Sequence, residues 1–134
     1  MTMTRFRLAA AFTLLLFATA CTAPLYKVNA KPYGWGPAKG VTMAQVQSTV
    51  EETAKREGWT LSNVKTGSFT AERQWDADKH DVVVDVIYDL KKFSIVYKDS
   101  KQMSYSGSSI HHTYNDMVQT LEEHIKTNVS KLTP

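Results

Sequence analysis

The chain has 134 residues, of which 43% are hydrophobic and 22% charged, with a formal net charge of +3. This length and balance suit one small globular domain and leave no room for a second core. Charges of both signs are mixed along the sequence without a basic run, so we expect no nucleic-acid partner. The single cysteine excludes an intrachain disulfide.

The N-terminus has the pattern of an export signal. Arg5 and Arg7 precede an apolar run, Leu8–Ala18, which is followed by Thr19-Ala20-Cys21. The run is too short for a transmembrane helix, which needs about 20 residues. The sequence Ala18-Thr19-Ala20-Cys21 resembles the lipobox of bacterial lipoproteins, which implies that residues 1–20 are removed and that Cys21 carries a diacylglycerol. The alternative is an ordinary signal peptide with a chance cysteine.

A lipid anchor would place the protein in the cell envelope, bound to a membrane. Removal of residues 1–20 takes away Arg5 and Arg7, so 14 Lys and Arg residues remain against 13 Asp and Glu residues, a net charge of +1. Thr22 follows the cysteine where an Asp would act as a retention signal. By resemblance to lipoprotein sorting rules, this favours the periplasmic face of the outer membrane in a Gram-negative cell. Apart from the covalent lipid on Cys21, we expect no cofactor.

Residues 21–40 contain three prolines and three glycines and have no consistent period of two or 3.6. This composition predicts a flexible tether that holds the domain about 25 Å from the membrane. Its aromatic residues, Tyr26, Tyr33 and Trp35, are open to two interpretations. They rest in the headgroup region or on the domain's own surface, or Tyr33 and Trp35 form part of a segment that docks a partner.

The remaining residues, 41–134, are predicted to form the domain, which begins with a helix. Thr42 and Gln45 have the spacing of a capping box, and Gly58 is expected to cap the other end. Between these signals, apolar residues recur at spacings of three and four and form one stripe. These residues are Met43, Val46, Val50 and Ala54.

Strands are predicted for the middle of the chain. Residues 59–75 alternate in polarity, with Gly67 marking a bulge or a tight turn. Residues 81–88 and 93–97 form a hairpin in which Tyr88 faces Phe93, Val86 faces Ile95 and Val84 faces Tyr97, because this register stacks the apolar residues on one face. A short fourth strand at residues 103–105 is also expected.

A second helix is predicted after Ser109, which is expected to be its N-cap. Its apolar stripe contains Ile110, Tyr114, Met117 or Val118, Leu121, Ile125 and Val129. The element order is then α-β-β-β-(β)-α. We therefore predict an α+β fold, a two-layer sandwich in which an antiparallel sheet of three to four strands carries both helices on one face.

Few residues have the spacing of a chemical site. Residues 76–81 begin like a calcium loop, but Asp81 stands where that loop needs glycine. His80, His111 and His112 are candidate metal ligands, with His112 four residues before Asp116, although a typical zinc site needs three convergent protein ligands. We therefore predict no metal site. Ser109 near His111 lacks the sequence context of a catalytic serine, and we predict that the protein is not an enzyme.

The face of the hairpin opposite the buried row has an unusual composition. Val83 and Ile87 alternate there with aspartates, including Asp85, and Val96 lies across the turn. A fully solvated strand face is more polar than this. These four residues are either isolated surface apolar groups with a charged neighbour or a contact patch for another protein.

The order of several short motifs is similar to that of a family of small, functionally uncharacterised bacterial lipoproteins. The motifs, which together span roughly residues 41–125, are Gly58-Trp59, Gly67, His80-x-Val82-x-Val84-x-Val86-x-Tyr88, Phe93-x-Ile95-x-Tyr97-x-Asp99-Ser100, Met103-x-Tyr105 and Ile110-His111-x-x-Tyr114-Asn115. The resemblance implies an envelope location and an α+β domain, and no substrate or catalytic residue. We expect a non-enzymatic module that binds an envelope protein or supports assembly; the alternative is a small-ligand or metal-binding periplasmic lipoprotein.

Overall fold

The computed structural model describes residues 21–34 and 36–134, so the predicted signal peptide and Trp35 lie outside the described residues. The α+β class is confirmed. Within the described residues the helices and strands are β1 (Thr22–Pro24), β2 (Val28–Pro32), α1 (Met43–Arg56), β3 (Thr60–Lys65), β4 (Ser68–Trp75), β5 (His80–Tyr88), β6 (Lys92–Lys101), β7 (Ser109–His111) and α2 (His112–Ser130).

The strands form two antiparallel sheets. Five of them follow the order β2-β6-β5-β4-β3, and β1 pairs with β7 in a separate two-stranded sheet. The predicted sheet of three to four strands was too small, and the predicted order was wrong because two strands precede α1. One continuous core contains buried side chains of the five-stranded sheet and of both helices, which pack against each other.

The central hairpin has the predicted register. Tyr88 pairs with Phe93, Val86 with Ile95 and Val84 with Tyr97. Val84 and Val86 are completely buried, so a slip by one residue would turn both valines outward and bring Asp85 into the core. The β3–β4 connection is a tight turn at Gly67, which has φ +91° and whose carbonyl accepts a 2.9 Å hydrogen bond from the Tyr88 amide.

The first helix begins and ends at the predicted signals. Thr42 and Gln45 form the capping box, and Gly58 follows the C-cap with φ +90°. The second helix begins later than predicted, because His111 and not Ser109 is its N-cap. Ser109 instead pairs with Pro24 in the β1–β7 sheet.

The prediction of a short strand at residues 103–105 was wrong. Met103 is buried, and its carbonyl accepts a 2.7 Å hydrogen bond from the backbone N–H of His111. This connection is therefore packed against β7 without extending the sheet. The strand that follows β6 in the chain is β7, which pairs with β1.

The prediction of a flexible tether at residues 21–40 was wrong for residues 21–34, which we call the docked segment. This segment contributes β1 and β2, and Val28 and Tyr33 are buried in the core. The prolines suggested an irregular tether, but they are compatible with the two short strands. Pro24 and Pro32 both end their strands, at positions where proline removes little from a ladder.

The described residues include no helix that is both long enough and apolar enough to span a bilayer.

Candidate functional site

The candidate interaction surface is the outward face of the central hairpin, which we call the outer face and define by Val83, Asp85, Ile87 and Val96. The structure brings these predicted residues onto one side of β5 and β6, since Asp85 pairs with Val96 and the buried valines alternate with them. Ile87 is 51% exposed and Val96 46% exposed. They are diagonal cross-strand neighbours, because Ile87 itself pairs with Ser94.

A polar cluster lies on the outer face, around Asp85. The Thr70 hydroxyl donates a 2.8 Å hydrogen bond to the Asp85 carboxylate, and the Lys98 ammonium lies 3.3 Å from the same oxygen. The side-chain amide of Asn63, on β3, donates a 3.5 Å hydrogen bond to the Thr70 hydroxyl. Because Asp85 and Lys98 are both partly solvated, their ion pair adds little stability. The cluster fixes the side chains that surround Ile87 and lines a shallow depression of about 310 Å³.

Two carboxylic acids lie on the outward side of β4 and β5. Glu72 pairs with Val83 and Gln74 pairs with Asp81, which places Glu72 and Asp81 diagonally on the same face. The hydrogen bond between the two acids raises the pKa of Glu72, and burial and repulsion by Asp81 act in the same direction. Lys101 pairs with Asp81 across the hairpin, so this end of the face carries charged groups of both signs.

The histidines named as metal candidates are each engaged in other contacts. Nδ1 of His80 lies 3.1 Å from the Gln102 carbonyl, and its ring stacks on Trp75. His111 stacks on His112, and its Nδ1 accepts a 3.2 Å hydrogen bond from the Thr113 amide as the helix cap. Among residues 21–34 and 36–134, no three histidine, cysteine or acidic side chains are grouped so that they could hold a metal ion.

Two further sequence expectations can be placed in this region. The predicted pair of His112 and Asp116 is present, with Nδ1 of the histidine 3.3 Å from a carboxylate oxygen. The Ser109 hydroxyl contacts Ser106 at 2.8 Å, while the ring of His111 caps its own helix. These contacts give Ser109 and His111 structural roles.

The docked segment is held against α2 by side chains along the length of that helix. Asn115 donates a 2.8 Å hydrogen bond to the Pro24 carbonyl and accepts one of 3.0 Å from the Tyr26 amide. The buried carboxylate of Glu122 accepts a 2.5 Å hydrogen bond from the Tyr26 hydroxyl and pairs with Lys31 at 3.1 Å. The hydrogen bond to Glu122 is the main cause of a raised Tyr26 pKa, to which burial also contributes.

Residue 21 and the predicted docking aromatics occupy different environments. Cys21 is exposed, and its carbonyl accepts a 2.9 Å hydrogen bond from the His112 amide. Tyr33 is only 1% exposed and stacks on Phe93, so the interpretation of Tyr33 as a surface aromatic was wrong. Trp35, its predicted companion, lies outside the described residues.

The sequence did not predict an apolar cleft of about 410 Å³ between the docked segment and β6, which we call the tyrosine cleft. Tyr97 and Tyr105 stack there with ring centroids 3.9 Å apart. Burial raises the pKa of Tyr97, although its hydrogen bond with Ser100 opposes the shift. The cleft forms at the start of β2, where Val28 pairs with Ile95 of β6. Its apolar and aromatic lining is Leu25, Tyr26, Val28, Ile95, Val96, Tyr97 and Tyr105.

The signal that could have revealed this cleft is the pair Leu25 and Tyr26 within an otherwise polar, proline-containing stretch. It would have placed an apolar contact in the docked segment. It would not have identified β6 as the other wall.

The comparisons with known proteins add no family assignment. A scan against protein-family models, a search of curated proteins and a search of solved structures each found no match to this chain.

Proposed function

We propose that this protein is a lipoprotein anchored through Cys21 to the periplasmic face of the outer membrane, where its outer face binds another envelope protein without catalysis. The observation that carries the proposal is the exposure of Ile87 and Val96 as diagonal neighbours on two paired strands. Neighbouring exposed apolar side chains with a polar rim are typical of protein contact surfaces.

We further propose that the domain is the two-layer sandwich expected from the sequence. Both helices then pack on the face of the sheet opposite to the one that carries Ile87. Support comes from the single core shared by the helices and the inward side chains of β4 to β6. In such a domain the completely buried Val84 and Val86 hold the hairpin rigidly from beneath. A rigid apolar surface loses little conformational entropy when it binds a partner.

The chemistry of the surface suggests what the partner offers. Ile87 and Val96 require an apolar side chain opposite them, and the charged residues Asp81 and Lys101 beyond them favour polar or charged partner groups. Around Asp85 the partner meets hydrogen-bonding groups that are already mutually satisfied. We therefore expect specificity to come from shape and charge around an Ile87 anchor.

Photo-crosslinking in the producing cells tests this proposal. A photoreactive amino acid at position 87 is expected to yield a discrete crosslinked species. The same group at Gln119, an exposed position on α2, serves as the matched control and is expected to yield none.

A second experiment uses the double variant Val83→Lys and Ile87→Lys. It replaces two outward side chains and leaves the buried row intact, so circular dichroism is expected to show an unchanged fold. If the folded variant still captures every partner that the unmodified chain captures, the outer face is not the binding surface.

A further inference from the structure

The chain leaves no spacer between residue 21 and the folded domain. The Cys21 carbonyl accepts a 2.9 Å hydrogen bond from the His112 amide, and Thr22 is the strand partner of His111 in the β1–β7 sheet. The Leu25 amide then donates a 2.9 Å hydrogen bond to the Ser108 carbonyl. A lipid on Cys21 would therefore hold the body of the domain, and not a flexible linker, at the membrane surface.

The tyrosine cleft lies along this path, because Leu25 is part of its lining. Leu25 lies four residues after Cys21, so their Cα atoms are no more than about 13 Å apart at the rise of an extended strand. Tyr105, which is 43% exposed, and the exposed Lys27 both line the cleft. An exposed lysine, an exposed tyrosine and an apolar floor thus belong to the same cleft as Leu25.

This combination suits the polar layer of a phospholipid membrane. That layer is about 5–7 Å thick on each side of a hydrocarbon core of about 30 Å, and acyl chains on Cys21 would hold residue 21 inside it. Tyrosine rings are enriched at this depth because one end is apolar and the other is hydrated. A lysine ammonium beside them is attracted to anionic headgroups.

From this we infer that the end of the domain that contains Cys21 and the tyrosine cleft lies flat on the phospholipid surface. The inference rests on the lipidation in the proposed function. In this orientation the anchor sets the orientation of the domain as well as its location. Val96 belongs to both the cleft and the outer face, so the outer face begins at the membrane surface and extends from it toward Ile87. The far end of α2, about 28 Å from its first residue, provides a reference point away from the anchor.

The test uses the full-length lipidated protein in vesicles of phosphatidylethanolamine and phosphatidylglycerol. Because acylation consumes the only native thiol, an introduced cysteine can be labelled selectively with a fluorophore. Ser108→Cys places the label beside Leu25, and Lys131→Cys places it beyond the last residue of α2. Nitroxide-labelled lipid is expected to quench the label at position 108 at least several-fold more than the label at position 131.

A substitution in the cleft then tests whether its side chains contribute. In the Ser108→Cys protein, Tyr105→Asp is expected to lower the quenching at position 108. Val64→Asp, which changes a similarly exposed apolar residue on β3, is the matched control and is expected to leave it unchanged. Circular dichroism establishes that both variants are folded.

The outcomes separate the two proposals. If palmitate labels the protein but positions 108 and 131 are quenched equally, the inferred orientation is wrong and the lipid anchor stands. A small molecule retained in the tyrosine cleft of an unquenched protein would likewise overturn the orientation and assign the cleft to a soluble ligand. Failure of palmitate incorporation would overturn the proposed function and this inference together.

Discussion

Replacement of Tyr33 by alanine tests whether the docked segment is part of the folded domain. Tyr33 is 1% exposed, stacks on Phe93 at a centroid distance of 5.3 Å and donates a 2.7 Å hydrogen bond to the Asp89 carbonyl. These contacts join the docked segment to the central hairpin. A tyrosine in a tether would make none of them.

The magnitude follows from the burial of a whole aromatic ring. Truncation of buried Phe or Trp to alanine costs about 3–5 kcal/mol, and we expect Tyr33→Ala to lower the free energy of unfolding by a similar amount. Tyr33→Phe keeps the ring and removes one hydrogen bond, so it is expected to cost about 0.5–1.5 kcal/mol. Lys39→Ala, at an exposed position after the docked segment, is expected to change stability by less than about 0.5 kcal/mol.

Urea denaturation of the chain from residue 21, carrying Cys21→Ser, provides the assay. If the slopes of the unfolding transitions agree, the change in the free energy of unfolding is that slope multiplied by the difference in midpoints. Thermal unfolding of Tyr33→Ala should also show a fall in Tm of at least about 10 °C.

The pH dependence of stability gives a second measurement on the same variants. Burial, together with repulsion from Asp89, raises the pKa of Tyr33 well above its usual value. The stability that the neutral phenol of Tyr33 contributes is therefore fully present below the unfolded-state pKa of about 10. It is lost as the pH rises from there through the raised folded-state pKa. Tyr33→Phe is expected to flatten this alkaline loss.

If Tyr33→Ala and Lys39→Ala destabilise the protein equally and by less than about 0.5 kcal/mol, Tyr33 is not packed in the core in solution. The docked segment would then be a tether in solution, as its composition suggested.

Three further predictions test other parts of the structure. Thr42→Ala removes the hydroxyl that accepts a hydrogen bond from the Gln45 backbone amide and is expected to lower the free energy of unfolding by about 1 kcal/mol. An unchanged free energy of unfolding in urea would contradict the capping box. Asn115→Ala removes two hydrogen bonds to the docked segment and is expected to speed amide exchange at Tyr26, whereas unchanged exchange would contradict the docking. Hydrogen bonds from backbone amides hold the pKa of Asp89 below its usual range, so the stability that its carboxylate contributes is present above a pH of about 4 and is lost as the pH falls through the lowered pKa. Asp89→Asn is expected to flatten this acid loss in denaturation measured across pH. An unchanged pH curve would contradict the prediction.

The parts of the fold that the sequence predicted correctly are those specified by neighbouring residues. The register of the central hairpin follows from its own alternation, since Val84 and Val86 can be buried together with Ile95 in only one alignment. The capping box at Thr42 is likewise local, because both of its partners lie within one helical turn.

The parts that could not be predicted depend on residues far apart in the chain. The docked segment has only Val28 and Tyr33 as fully buried apolar residues, and both are buried by elements more than fifty residues later. Ser109 has the local character of a helix cap, but it is a strand residue because β1 pairs with it. Pairing between such distant segments leaves almost no trace in either short sequence.

The same distinction between local and distant contacts explains which parts of the candidate site were predicted. Alternation along β5 placed Val83, Asp85 and Ile87 on one face, and the hairpin register added Val96. The tyrosine cleft was missed because one of its walls is the docked segment, whose contact with β6 has no local signal.

The central claim, that Cys21 is acylated and becomes the first residue of the mature protein, is tested most directly by mass spectrometry of the protein purified from its membranes. Trypsin is expected to release a peptide from Cys21 to Lys27 whose mass includes a thioether-linked diacylglycerol, and Cys21→Ser should abolish it. A mature protein that begins at another residue, or that carries Cys21 as an unmodified thiol, would contradict the account.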